Sequence, residues 1–325
     1  LGVTVFDQSK ENPTSACVNE CARAAREAGV NFIIGLGDGS SMDTAKGANF
    51  ILTNGGAMKD YWGVGKASQP MLPSIMIPTT AGTGSECQSF ALISDDATHA
   101  KMACGDPKAM AKVAILDPKL TLSQPRRVTA CTGIDAIAHA VETAVTRKRN
   151  ETSLKYSRAA FGMMLENFPR VLEAPDDLHA RGQMLLGAAF AGTAIEHSML
   201  GAAHSAANPL TAHFDVIHGQ AVGMMLPHVV RFNAEQEPIA EAYSTLVEDT
   251  PAAAGNGTAP PEALAQALEA LLDSAKMPRS LAKCGVDEAK LPVLCEEAAG
   301  QWTASFNPRD ITAADFSTLY QKAFD

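Results

Sequence analysis

The pattern of the chain changes once, near residue 120, and that change limits the folds open to it more than any other feature. Up to about residue 118, short β-rich runs alternate with helical stretches. The reading gives strands over residues 3–6, 31–35 and 74–77, helices over 13–28 and 41–52, a hairpin pairing 89–93 with 101–103, and a strand over 112–116. Strands and helices alternating at this spacing build a parallel sheet with helices on its faces. From Pro125 onward apolar residues recur at helical spacing, as in Ile134, Ile137, Ala138 and Val141 or the stretches 184–194 and 261–275, and no strand is read. Two prolines in LDPKLTLSQP, residues 116–125, put the boundary there. The expectation is an α/β nucleotide-binding domain over residues 1–120 and an all-helical domain over residues 121–325, with a loop at 250–261 inside the second. A site in the cleft between the halves follows as the default.

Composition removes several classes of function. The chain has 325 residues, is 46% hydrophobic and 19% charged, and carries a net charge of -10 with no dense basic run, so it should fold and has no footprint for a nucleic-acid backbone. Cys17, Cys21, Cys87, Cys104, Cys131, Cys284 and Cys295 are scattered and odd in number, which reads as reduced thiols rather than a disulfide framework. The start, LGVTVFDQSK, lacks the basic and apolar regions of a secretory signal, and no apolar run reaches the ~18 residues of a membrane span. A cytoplasmic protein is expected.

Two turns in the first half suit a dinucleotide. Residues 33–46 read IIGLGDGSSMDTAK, an apolar strand, a run of glycines and a helix start. Glycines let the backbone approach a diphosphate, and the free N–H groups and dipole of the helix start attract its charge. The spacing is not the GxGxxG fingerprint, and alone it is weak evidence, with a plain tight turn, and Asp43 as a first-turn carboxylate, the lesser alternative. The next strand ends in PTTAGTGSE, residues 78–86, whose hydroxyls and glycines at the carboxyl edge of a sheet suit a ribose or diphosphate. A helix cap formed by Thr83 or Ser85 is the plainer alternative.

The second half holds the candidate metal ligands. In GIDAIAHAVE, residues 133–142, Asp135 and His139 lie four apart on one helical face and make half a divalent-metal site, or else a simple surface pair. Residues 201–227, GAAHSAANPLTAHFDVIHGQAVGMMLP, add His204 and His218 among small and apolar residues, where imidazoles more often serve a site than a solvated face.

Taken together, GDGSSMDTAK, PTTAGTGSE and the two-histidine segment closely resemble the signature of iron-containing (group III) alcohol dehydrogenases, and the resemblance runs the length of the chain. It implies a dehydroquinate synthase-like two-domain architecture and a metal-dependent, NAD- or NADP-linked alcohol dehydrogenase. Such an enzyme interconverts a small alcohol or diol with its aldehyde or ketone. Residue by residue, it implies Asp135, His139, His204 and His218 as ligands of Fe(II) or Zn(II), with His204, His218 and position 208 in the catalytic centre. Gly37, Asp38, Gly39, Ser40 and Asp43 fall at the diphosphate, Thr79, Thr80, Thr83 and Lys101 at the ribose and nicotinamide, and Leu116 at the cofactor edge. His197, His213 and His228 have no counterpart role. A homo-oligomer, a dimer, is the expected assembly, with neither nucleic acid nor membrane as partner.

The chain departs from the family pattern in three places. Asp38 stands where glycine is usual, and its charge would repel a diphosphate unless it points away. Asn208 replaces the histidine assigned to proton relay, and an amide does not exchange a proton at neutral pH. A first strand-helix unit of roughly fifty residues, beyond the ~30 of a minimal βαβ unit, is expected to be missing ahead of Leu1. That would leave a sheet edge or apolar surface uncovered. A glycerol dehydrogenase-like polyol oxidoreductase and a non-catalytic nucleotide- or metal-binding relative are the alternatives. A cyclase of the same plan is disfavoured, because few basic residues flank the ligands.

Overall fold

The computed structural model describes residues 2–98, 100–248, 250 and 257–324. Helix α1 (Ser15–Glu27) is followed by β1 (Ile33–Gly37), α2 (Gly39–Asn54), β2 (Gly63–Val64) and β3 (Ser74–Pro78). Then come β4 (Phe90–Ser94), β5 (Lys101–Gly105) and β6 (Val113–Ala114). The strands form two sheets. The first is parallel, in the order β1-β3-β6, with Ile34 opposite Ile75 and Ile75 opposite Val113. In the second, the expected hairpin β4–β5 is antiparallel and β2 pairs parallel to β5.

Side chains alternate across a strand, so Gly35 and Met76 face one side of the parallel sheet while Ile34, Ile75 and Val113 line a row on the other. α2 packs closely on the first side. A Cβ on Gly35 would meet the Met76 sulfur at 2.4 Å and Ala45 at 3.3 Å, so only glycine fits between strand and helix. The other side is open. Ile34 and Leu36 are 57% and 58% exposed, and Val113 and Ile115 are exposed beside them. Parallel strands are normally covered on both faces. Residues 3–6 are not a strand as expected. No neighbouring strand pairs with them, and Val3 and Val5 are exposed.

The described residues of the second half contain helices and no strand: α3 (Arg126–Thr143), α4 (Glu151–Glu173), α5 (Leu178–His197), α6 (Ala202–Phe214), α7 (His218–Asn233), α8 (Glu237–Glu248), α9 (Pro260–Ala275), α10 (Leu291–Ala299) and α11 (Ala313–Lys322). α3 runs through the middle, its residues from 133 to 143 all buried against α4, α5 and α7. Gly133 makes room for the Phe168 ring, which a Cβ would meet at 2.6 Å. Half of the loop expected at 250–261, residues 251–256, lies outside the described residues, and its last two positions already belong to α9. Among those described, no helix is long and apolar enough to cross a membrane. All seven cysteines are free.

Candidate metal centre and cofactor edge

Asp135 and His139 project from successive turns of α3, His204 comes from the first turn of α6, and His218 opens α7. The ligand atoms of Asp135, His204 and His218 all lie within 4.8 Å of one another. His204 Nε2 is 3.3 Å and His218 Nε2 is 3.7 Å from Asp135 Oδ1. His139 stands beside this trio, its Nε2 3.5 Å from Asp135 Oδ2 and its ring stacked on His204 with centroids 4.9 Å apart.

Asp135 Oδ1 and His204 Nε2 are both buried, point at a common space and have no hydrogen-bond partner; His139 Nδ1 is also unpartnered. Buried polar atoms normally find partners. Two such lone-pair atoms facing each other fit a divalent cation, and one carboxylate with three imidazoles suits iron or zinc. Burial alone would raise Asp135, but His139, His204 and His218 hold its carboxyl well below the usual range. Burial drives His139 down to about 4. It would lower His204 as well, but Glu142 and Asp135 carry that ring up to about 9, so an ion there would displace a proton.

Glu142 escaped the sequence reading. It lies on α3 seven residues after Asp135, a spacing that returns to the same helical face and is the signal that could have found it. Its Oε2 is 2.6 Å from His204 Nδ1 and accepts the Gly201 N–H, while Oε1 accepts the Ala203 N–H.

The two cofactor turns adjoin each other at the carboxyl edge of the parallel sheet. Thr79 N–H donates to the Gly37 carbonyl at 2.8 Å, and a Cβ on Gly39 would strike Thr83 at 2.6 Å. The threonine turn also leans on the helical half. A Cβ on Gly82 would meet Thr132 of α3 at 2.6 Å, and one on Gly84, where φ is +63°, would meet Gly192 of α5 at the same distance. Ser89 of the sheet half donates from both its N–H and its hydroxyl to Glu196 of α5. These contacts set the two turns, the candidate cofactor edge, against α3 and α5.

Of the residues assigned to the cofactor, Asp43 is the most deeply engaged: its oxygens accept from Ser85 Oγ at 2.7 Å and Leu92 N at 3.2 Å. Lys46, which the sequence reading passed over, is fully buried beside it and donates to the Ser85 carbonyl and hydroxyl and to the Phe90 carbonyl. Asp38 caps α2, accepting from Ser41 N–H at 3.1 Å. Ser40 Oγ accepts from Asn12 N–H, Lys101 Nζ reaches Asn12 Oδ1 at 3.3 Å, and Thr79, Thr83 and Leu116 are half-buried with Thr80 buried. Asn208 donates its amide to Gln301 Oε1 at 3.0 Å. His213 pairs with Glu297 on the surface, and the His197 carbonyl accepts from Asn150.

Comparison with known proteins finds matches to both halves of the chain. Residues 1–118 match the family described as iron-containing alcohol dehydrogenase, and residues 129–324 match the C-terminal part of the Fe-containing alcohol dehydrogenase family. The chain is 31% identical to the NAD-dependent methanol dehydrogenase of Bacillus methanolicus, over 99% of this chain and 85% of that one. It is 29% identical to the 1,3-propanediol dehydrogenase of Citrobacter freundii, over 100% and 84%. Among solved structures, a 1,3-propanediol oxidoreductase superposes with a TM-score of 0.91 at 28% identity, over 99% of this chain and 84% of that one. An alcohol dehydrogenase from Oenococcus oeni gives 0.92 at 27%, with the same coverage. With both halves matched, the chain belongs to the iron-containing alcohol dehydrogenase family, metal-dependent oxidoreductases that act on alcohols.

Proposed function

We propose that this chain interconverts a short primary alcohol or diol with its aldehyde, using NAD as the coenzyme and Fe(II) as the ion, with Asp135, His139, His204 and His218 holding the metal. The observation that carries the reading is the pair of buried, unpartnered atoms Asp135 Oδ1 and His204 Nε2, 3.3 Å apart. The relatives' names, NAD-dependent methanol dehydrogenase and 1,3-propanediol dehydrogenase, support the coenzyme and the substrate class. When bound, the ion would supply Lewis acidity toward a hydroxyl oxygen, and the nicotinamide would supply a hydride acceptor.

The protein's own part is positioning and electrostatics. Asp135 brings the negative charge that neutralises a cation, and the imidazoles bring lone pairs from three separate helix positions, which fixes the direction of approach. Gly37, without a side chain, leaves room for a diphosphate and the backbone at Gly39 and Ser40 offers it N–H groups, while Thr79, Thr80 and Thr83 offer hydroxyls to a ribose. Asn208, its amide engaged by Gln301, orients a ligand rather than relaying a proton.

The test is a panel of short alcohols and aldehydes with NAD(H) and NADP(H), run on protein reconstituted with Fe(II) or Zn(II), together with elemental analysis of His218→Ala. The parent should bind one ion per chain and turn over, and His218→Ala should lose both ion and activity with its helices intact. Stoichiometric metal in His218→Ala would refute the ligand set, and a metal-loaded parent inert across the panel would refute the reaction.

A further inference from the structure

We propose that Glu142 is a positioning residue for the metal centre, holding His204 so that its Nε2 is the nitrogen offered to the ion; this rests on the metal reading above. The sequence makes the device necessary. α6 begins after Gly201, which has no side chain to cap the helix, so its first N–H groups need acceptors from elsewhere. Glu142 of α3 takes the Gly201 N–H at 3.0 Å on Oε2 and the Ala203 N–H at 2.7 Å on Oε1, and Asn307 Oδ1 takes the Ala202 N–H between them. The same Oε2 lies 2.6 Å from His204 Nδ1. With backbone donors already on both oxygens, the carboxylate serves as an acceptor, and the hydrogen of the short contact sits on Nδ1. Nδ1 therefore has no lone pair to give, and Nε2 is the nitrogen left to face Asp135, where it has no other partner. Which nitrogen of a histidine meets a metal is set by the hydrogen bond the other one makes. One buried carboxylate thus starts helix α6 and aims a ligand from its first turn.

The experiment measures the Zn(II) dissociation constant of the full chain by competition with a chelator, and records ¹H–¹⁵N spectra of the histidine-labelled, zinc-loaded protein. In the parent, His204 Nδ1–H should give a far-downfield proton, as a hydrogen bond to a carboxylate this short requires. Glu142→Gln should weaken Zn(II) about 10- to 100-fold and move that resonance upfield. Glu142→Asp, which keeps the charge but draws it back from the ring, should weaken Zn(II) by less. An unchanged dissociation constant in Glu142→Gln overturns the proposal, as does weaker binding with the His204 resonance unmoved, since a merely structural role would leave it in place. Should Glu142→Gln fail to fold, Glu142→Asp decides: weaker Zn(II) binding supports the proposal and the parental value overturns it. A parent that takes up no Zn(II) overturns the metal reading itself, an outcome distinct from parental binding in the variants.

Discussion

Helix α3 and strand β1 both carry residues assigned to the site, yet they are held in different ways. α3 is enclosed by other helices, so Asp135, His139 and Glu142 project from a rod whose position is fixed by packing on several sides. β1 is packed on one side only, with Ile34 and Leu36 turned to solvent on the other. The glycine turn that follows it is fixed instead by polar contacts: Lys46, Asp43 and Ser85 tie the start of α2 to the threonine turn and β4. Apolar packing positions the proposed metal ligands, and a small buried ion network positions the proposed cofactor edge. Close by, burial lifts the Glu86 carboxyl to about 7, so the network operates in a poorly solvated setting.

The largest effect expected from this contrast is at Phe168. Its ring is fully buried and fills the space that Gly133 leaves on α3, two residues before Asp135. Phe168→Ala should cost about 3–5 kcal/mol of unfolding free energy, the range for deleting a buried aromatic and leaving a cavity. Urea denaturation of the metal-free chain measures it. A loss below ~1 kcal/mol would mean that α3 is not held by packing and would remove one side of the comparison.

A smaller and opposite effect is expected at Asp38. Its carboxylate takes the Ser41 N–H at the start of α2, the kind of donor a diphosphate would otherwise attract, and adds a negative charge beside it. Asn caps a helix about as well as Asp, so Asp38→Asn should leave stability nearly unchanged. Removing the charge should tighten NADH by on the order of 1 kcal/mol, roughly fivefold, and the gain should shrink as salt rises. Fluorescence titration at low and high salt reads both. Unaltered or weaker affinity would show that the carboxylate does not face the coenzyme.

Much of this was legible in the sequence, because the informative features were local. The alternation of strands and helices, the hairpin β4–β5, and the i, i+4 pair Asp135 and His139 are all short-range patterns. Residues 3–6 misled because a β-rich run becomes a strand only when another strand pairs with it, and that is a property of the fold. β2 was missed because two residues carry no periodicity. Lys46 was missed for a different reason: lysine is almost always solvated, and its acceptors at Ser85 and Phe90 are 39 and 44 residues away. Glu142 had a readable spacing, but its worth lies in Gly201 and His204, which only the tertiary fold brings to it from 59 and 62 residues away.

The smallest effect is expected on the outer face of the parallel sheet. Leu36 is 58% exposed and sits on β1 with its side chain away from α2, so Leu36→Thr removes little buried apolar surface. Threonine is itself a good strand former. The change should therefore stay within about 0.5 kcal/mol, as for surface substitutions away from special features, and Ile34→Thr should behave alike. The measurement is unfolding free energy at two protein concentrations well apart, because a face covered by a second copy gains stability by mass action. In that case Leu36→Thr would forfeit a share of the ~1.5–3 kcal/mol that full burial of a leucine is worth, and the loss would grow with concentration. A concentration-independent loss near zero keeps the two halves distinct, one packed on all sides and one on a single side; a concentration-dependent loss above ~1 kcal/mol would make β1 as enclosed as α3 and end the contrast.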